Sequence, residues 1–182
     1  MNRAFLVTWV THNSRVSDRM LDLKIETGTP IILNLKEEIE ITKYIYEVVL
    51  EDHLKVLSYV ICADHVHIIL ICPERKLSSI VQKLKSVSAR RFNIAHGLSV
   101  SVNKGACSLV QEGGGKKKHG KAQNHLWAQK YNRSYLDSKD KYQNAIWYVK
   151  KNREKHCLSY SKKLAKLASK MEAFVSDNYR SI

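Results

Sequence analysis

The sequence predicts an α+β domain: a ferredoxin-like arrangement in which a small antiparallel β-sheet carries helices packed on one face. Three observations lead there. Strand-type and helix-type patterns follow one another as strand, helix, hairpin, helix, extended segment and helix. Two β-rich runs, "LKVLSYVI" and "HVHIILIC", are separated only by "CAD", the length of a hairpin connection. The 182 residues supply one hydrophobic core and are too few to favour two domains.

Each element has its own signal. "RAFLVTWVTH" is rich in aromatic and β-branched residues and predicts a first strand over residues 3–11. "TPIILNL" reads as a short strand or an extended lead-in to the next helix. From Leu35 to about Asp52, Ile39, Tyr46, Val49 and Leu50 recur at helical spacing among glutamates, the pattern of a helix with one buried stripe. The hairpin strands come next, and Pro73 closes the second of them. "ERKLSSIVQKLKSVSARRFNIAH" then places Leu77, Ile80, Val81, Leu84, Val87 and Phe92 in helical register, with Lys76, Lys83, Lys85, Arg90 and Arg91 on or near the wet face.

Residues 97–125 hold six of the seven glycines and the cluster "KKKHGK", and predict a basic loop. "LWAQKYNRSYLD" reads as extended. "SKDKYQNAIWYVKKNREKH" returns to helical spacing, with Ser138 as N-cap and Asp140 in the first turn. The tail "LSYSKKLAKLASKMEAFVSDNY" predicts a last amphipathic helix. The expected organisation is a domain over residues 1–158 and a helical extension over 159–182, without internal repeats.

Lys and Arg total 31 against 17 Asp and Glu, a surplus of 14 positive charges spread along the chain. Such a field favours polyanions, nucleic acid above all, although many solvated surfaces share it. No apolar stretch approaches the roughly 20 residues that cross a bilayer, and the N-terminus lacks a signal-peptide pattern. The expectation is a soluble, cytoplasmic protein without a membrane partner. Cys62, Cys72, Cys107 and Cys157 have no CxxC spacing, so reduced and mostly buried thiols are expected.

Chemistry enters with "HVH". In a strand, residues i and i+2 share a face, so His65 and His67 project side by side. Two imidazoles on one face suit a divalent ion with positions left open for substrate oxygens; a pair of hydrogen-bonded structural histidines has the same sequence signature. No second Cys/His pair at zinc spacing follows, which argues against a closed structural zinc site. Far along the chain, Tyr148 and Asn152 stand four apart on the predicted helix and share its face, with Asn144 one turn earlier. A tyrosine hydroxyl can serve as a covalent nucleophile and an amide oxygen can complete a metal site. Taken alone, one of nine tyrosines also reads as a core aromatic.

"YVICADHVHIIL", a basic amphipathic helix, "LW" and "YVKKNREKHCL" together resemble the single-tyrosine HUH transposases, in their REP-associated tyrosine transposase branch. The family's hairpin reads approximately Y-x-hydrophobic-M-P-N-H-V-H-L-L-hydrophobic and its last motif Y-I-x-x-N-P-x-K-H-G-L. The resemblance covers residues 3–158, most closely 59–93 and 126–158. It implies that His65 and His67 are the HUH pair, Tyr148 the nucleophile, and Asn152 the polar residue that completes a Mg²⁺ or Mn²⁺ site. The activity implied is cleavage and rejoining of single-stranded DNA beside a palindromic hairpin through a 5′-phosphotyrosine link. The alternative is a domesticated or inactive relative that binds structured nucleic acid without cutting it. Lys83, Arg90, Arg91, Lys151 and Arg153 are candidate nucleic-acid contacts, and a homodimer stays open. The chain departs from the family at Cys62, Ala63 and Asp64, where M-P-N is expected, and at Arg153, where the proline of N-P is expected.

Overall fold

Strict alternation along the first strand, β1 (Asn2–Val10), sends Phe5, Val7 and Trp9 into the interior and leaves the residues between them only partly covered. The structure, a computed structural model, describes residues 1–16, 18–24, 28–98 and 125–173. After β1 come a five-residue helix α1 (Asp18–Asp22), α2 (Leu35–Glu51), β2 (Lys55–Cys62), β3 (His65–Pro73), α3 (Glu74–Ala95), β4 (Asn132–Tyr135), α4 (Lys139–Lys155) and α5 (Lys162–Ala173). The predicted basic loop falls almost wholly outside the described residues.

The four strands form one antiparallel sheet in the order β2-β3-β1-β4. This is the ferredoxin-like order that the sequence predicts. The hairpin turn is Ala63–Asp64, with Cys62 opposite His65. "TPIILNL" forms no strand and is the extended lead-in: Ile31 N donates to the His12 carbonyl at 3.1 Å and Leu33 N to the Ala63 carbonyl at 2.6 Å. It then enters α2 through a capping box. Asn34 Oδ1 accepts from Lys36 N and Glu37 N, while the Glu37 carboxylate accepts from Asn34 N.

The layering differs from expectation in one respect. Val66, Ile68, Leu70 and Cys72 of β3 meet α2, α3 and α5 on one face, whereas Ile69 packs with Val60, Cys62, Ala145 and Val149 under α4 on the other. The helices therefore cover both faces. The reason is legible in β3, which is buried at every position from His65 to Leu70; a strand covered on one side only would alternate.

α5 docks on the main core through Leu164 and Met171 and lies against β2, the edge of the sheet. Glu172 Oε1 accepts from Tyr59 N and Ser58 Oγ, each at 3.2 Å, beside an irregularity in β2 between Val56 and Ser58. Strand edges left bare invite further pairing, and here a helix covers one. Cys62 and Cys72 are buried as expected; Cys157 is exposed, because it follows the end of α4 with positive φ, where the chain turns over the surface. No described helix is long and apolar enough to cross a membrane.

Candidate active site

His65 and His67 stand on the face of β3 that α4 covers, with exposures of 3% and 5% and ring centroids 4.8 Å apart. Pairing places Thr8 of β1 opposite His67, and the Thr8 hydroxyl lies 2.6 Å from His67 Nδ1. His65 Nδ1 lies 2.5 Å from the Asp64 carboxylate, whose other oxygen pairs with Arg15 at 3.1 Å. Both rings thus spend Nδ1 on a neighbour, and both turn Nε2 towards α4.

α4 starts where Ser138 Oγ accepts from Lys141 N at 3.3 Å, the N-cap expected from the sequence. Its buried residues Ala145, Val149 and Asn152 recur at three and four, which fixes its rotation over the sheet. That rotation carries Tyr148 to His67: the phenol oxygen is 3.5 Å from Nε2, the outer limit of hydrogen bonding, and the rings meet edge-on at 5.1 Å. One turn later Asn152, fully buried, sets Oδ1 at 2.8 Å from His65 Nε2 and accepts from the Cys62 thiol at 3.1 Å. The four sequence-predicted residues His65, His67, Tyr148 and Asn152 converge in one place, although the histidines and the helix come from opposite halves of the chain.

Electrostatics keep His67 neutral. Burial above all, then the neighbouring His65, His156 and Arg15, push its imidazole down to about 4. At pH 7 it offers a lone pair, which is the state metal ligation requires. The residues fit a divalent ion in a second way. With Nδ1–H given to Asp64, a neutral His65 has its lone pair on Nε2, directly facing Asn152 Oδ1; the Asn152 Nδ2 is buried without a partner. His65 Nε2 and Asn152 Oδ1 lie 2.8 Å apart, a spacing that also suits neighbouring ligands of one cation, since atoms at about 2.1 Å from a shared octahedral ion sit about 3 Å apart. Among the described residues, no group of three or more His, Cys, Asp or Glu side chains could hold a metal by itself. Two imidazoles and an amide oxygen form an open ligand set that leaves positions for substrate oxygens.

The five basic candidates do not gather here. Lys83, Arg90 and Arg91 ride α3, in the helix layer of the opposite face. Lys83 pairs with Asp52 at 2.6 Å, Arg91 pairs with Glu47, and Arg90 is exposed. Lys151 pairs with Glu154 on the outer side of α4. Arg153 turns inward: its guanidinium donates to the Glu38 carboxylate at 2.8 Å, to the Ile61 carbonyl at 2.7 Å and to the Ser159 carbonyl at 2.9 Å. It ties α4 to α2 around the end of β2.

Sequence reasoning missed four neighbours of the site. Asp64 reads in the sequence only as a departure from a motif, and Cys62 as that and as a buried thiol. His156 continues the line of Tyr148 and Asn152 by one more helical turn, and its ring centroid is 4.9 Å from that of His65; the spacing was a usable signal. Thr8 had none, because only strand register brings it opposite His67.

Residues 30–152, more than half of the chain, match the family model described as "Transposase IS200 like". Among solved structures, the chain is similar to a REP-associated tyrosine transposase bound to a REP hairpin, at 15% identity over 85% of this chain and 68% of that one, with a TM-score of 0.49. It is also similar to a candidate transposase from Deinococcus radiodurans R1, at 16% identity over 82% of this chain and 90% of that one, with a TM-score of 0.42. No curated protein matches it.

Proposed function

The chain belongs to the IS200-like transposase family, and on that premise we propose that it cuts and rejoins single-stranded DNA beside a hairpin, with Tyr148 as the nucleophile. The observation that carries this reading is the approach of the Tyr148 hydroxyl to His67 Nε2 at 3.5 Å, across 81 residues of chain.

Tyr148 Oη attacks the scissile phosphorus, forming a P–O(Tyr) bond as the P–O3′ bond breaks. The phenol gives up its proton and the departing 3′-oxygen takes one up, leaving a 5′-phosphotyrosine and a free 3′-hydroxyl. Rejoining is the same step in reverse, with a 3′-hydroxyl as attacking group and Tyr148 as leaving group. One phosphodiester is exchanged for another each way, so no nucleotide cofactor is needed. His65, His67 and Asn152 would hold a Mg²⁺ or Mn²⁺ ion, which supplies Lewis-acid polarisation of the phosphate and offsets charge as the tyrosine attacks. His67, kept neutral by burial, does not repel the cation.

Hairpin-bearing single strands, incubated with Mn²⁺ and the protein and run on a denaturing gel, test this. Wild type should give a covalent protein–DNA adduct and Tyr148→Phe none. An adduct that persists in Tyr148→Phe would move the nucleophile elsewhere, with Tyr142 as the next candidate. Retained hairpin binding with no adduct from wild type would support a descendant that binds structured nucleic acid without cutting.

A further inference from the structure

His65 has a carboxylate where His67 has only a hydroxyl. Asp64 Oδ1 lies 2.5 Å from His65 Nδ1, whereas His67 Nδ1 is met by Thr8 Oγ1 at 2.6 Å. The Asp64 carboxylate is itself held: its second oxygen pairs with Arg15, and the Asp64 carbonyl accepts from Thr11 N at 2.8 Å and Thr11 Oγ1 at 3.2 Å. The backbone of Asp64 is thus fixed at the end of β1, and its carboxylate is held between Arg15 and His65.

A carboxylate only accepts, so the proton between Asp64 and His65 belongs to Nδ1. In the neutral ring the other nitrogen, Nε2, then carries the lone pair, on the side of Asn152. We propose that Asp64 is a positioning residue of the metal site: it fixes His65 as the Nδ1–H tautomer, turns the Nε2 lone pair toward the cation, and strengthens that nitrogen as a donor. The proposal rests on the metal reading given above and deepens it. Asn152 is consistent with it. Its Oδ1 lies against Nε2 while its buried Nδ2 has no partner, which places an amide oxygen beside that nitrogen as a second ligand. The position is also one of the chain's departures: the family motif expects the neutral Asn where Asp64 stands. Carboxylate–imidazole–metal relays are a general device, and losing the outer member lowers metal affinity by about 10- to 100-fold.

The test uses the full chain and two readouts that do not depend on cleavage. Long-range ¹⁵N–¹H spectra of the metal-free protein read the tautomer: His65 should carry its proton on Nδ1 in wild type and become a mixture in Asp64→Ala. Titration with Mn²⁺ reads the affinity. Asp64→Ala should bind about 100-fold and Asp64→Asn about 10-fold more weakly than wild type; should Asp64→Ala fail to fold, Asp64→Asn decides. A proton on Nε2 in wild type, or variants that bind Mn²⁺ as tightly as wild type, would overturn the proposal alone. A wild type that binds no Mn²⁺ would overturn the metal reading, and this proposal with it.

Discussion

The two faces of the sheet are built from the same strands and serve opposite ends. On one face Phe5, Val7, Trp9, Val66, Ile68 and Leu70 lock against three helices in an interior of large apolar side chains. On the other, the intervening positions Thr8, His65 and His67 meet Cys62, Tyr148 and Asn152 through polar contacts between side chains. The difference teaches that a strand with period 2 can hold a polar site rigid by anchoring it, one residue out of phase, to a hydrophobic core.

Adjacent substitutions in β3 should separate the faces most sharply. His67→Ala should cut adduct formation by about 1,000-fold, equivalent to about 4 kcal/mol of transition-state stabilisation, with a smaller loss of stability than at its apolar neighbour. Ile68→Ala should do the reverse, costing about 2–5 kcal/mol of stability while leaving adduct per folded molecule unchanged. Adduct gels and urea unfolding on both variants read this. Equal loss of stability in the two would break the comparison.

The tie between the faces should give the next largest effect. Arg153→Ala leaves the Glu38 carboxylate, already raised by burial, without its cation, and should cost about 3 kcal/mol in urea unfolding. Lys151→Ala, removing an exposed pair, should cost less than about 0.5 kcal/mol. An Arg153→Ala variant of full stability with a shallower salt dependence of DNA binding would instead make Arg153 a phosphate contact.

Acid should act selectively on the polar face. His67 is lowered to about 4 from an ordinary value near 6.5, so its stabilising contribution is complete above pH 6.5 and is lost as pH falls toward 4. The unfolded chain takes up the proton first, to a limit of about 3 kcal/mol for metal-free protein. Burial raises Glu38 and Glu172, whose protonation on acidification works in the opposite direction. The difference between wild type and His67→Gln isolates the histidine: unfolding at pH 7, 5.5 and 4.5 should show a flatter profile in the variant. Ser138→Ala at the start of α4 should cost about 1 kcal/mol, measured the same way.

Much of the site was legible because its spacings are local. Two imidazoles at i and i+2 share a strand face, and Tyr148 and Asn152 at i and i+4 share a helix face, whatever the rest of the chain does. The ferredoxin-like order was legible from the succession of patterns and the short hairpin turn. The covering of both sheet faces was harder to read, since its only local sign is the lack of alternation in β3. Charge was the least legible property. Lys83, Arg91, Lys151 and Arg153 count alike in a net-charge sum, yet each has a carboxylate partner, and for Lys83, Arg91 and Arg153 that partner lies 31 or more residues away.

By itself the sequence determined every element but the short α1, their order and the pairs of chemical groups that share a face, because backbone periodicity and hydrophobic patterning act over a few residues. Only the tertiary structure decided that the pairs meet, that Thr8 and Asp64 hold the two imidazoles, and that Arg153 faces Glu38 within the protein. Those outcomes depend on strand register and on the docking of α4, which the packing of Ala145 and Val149 against Val60 and Ile69 sets across the full length of the fold.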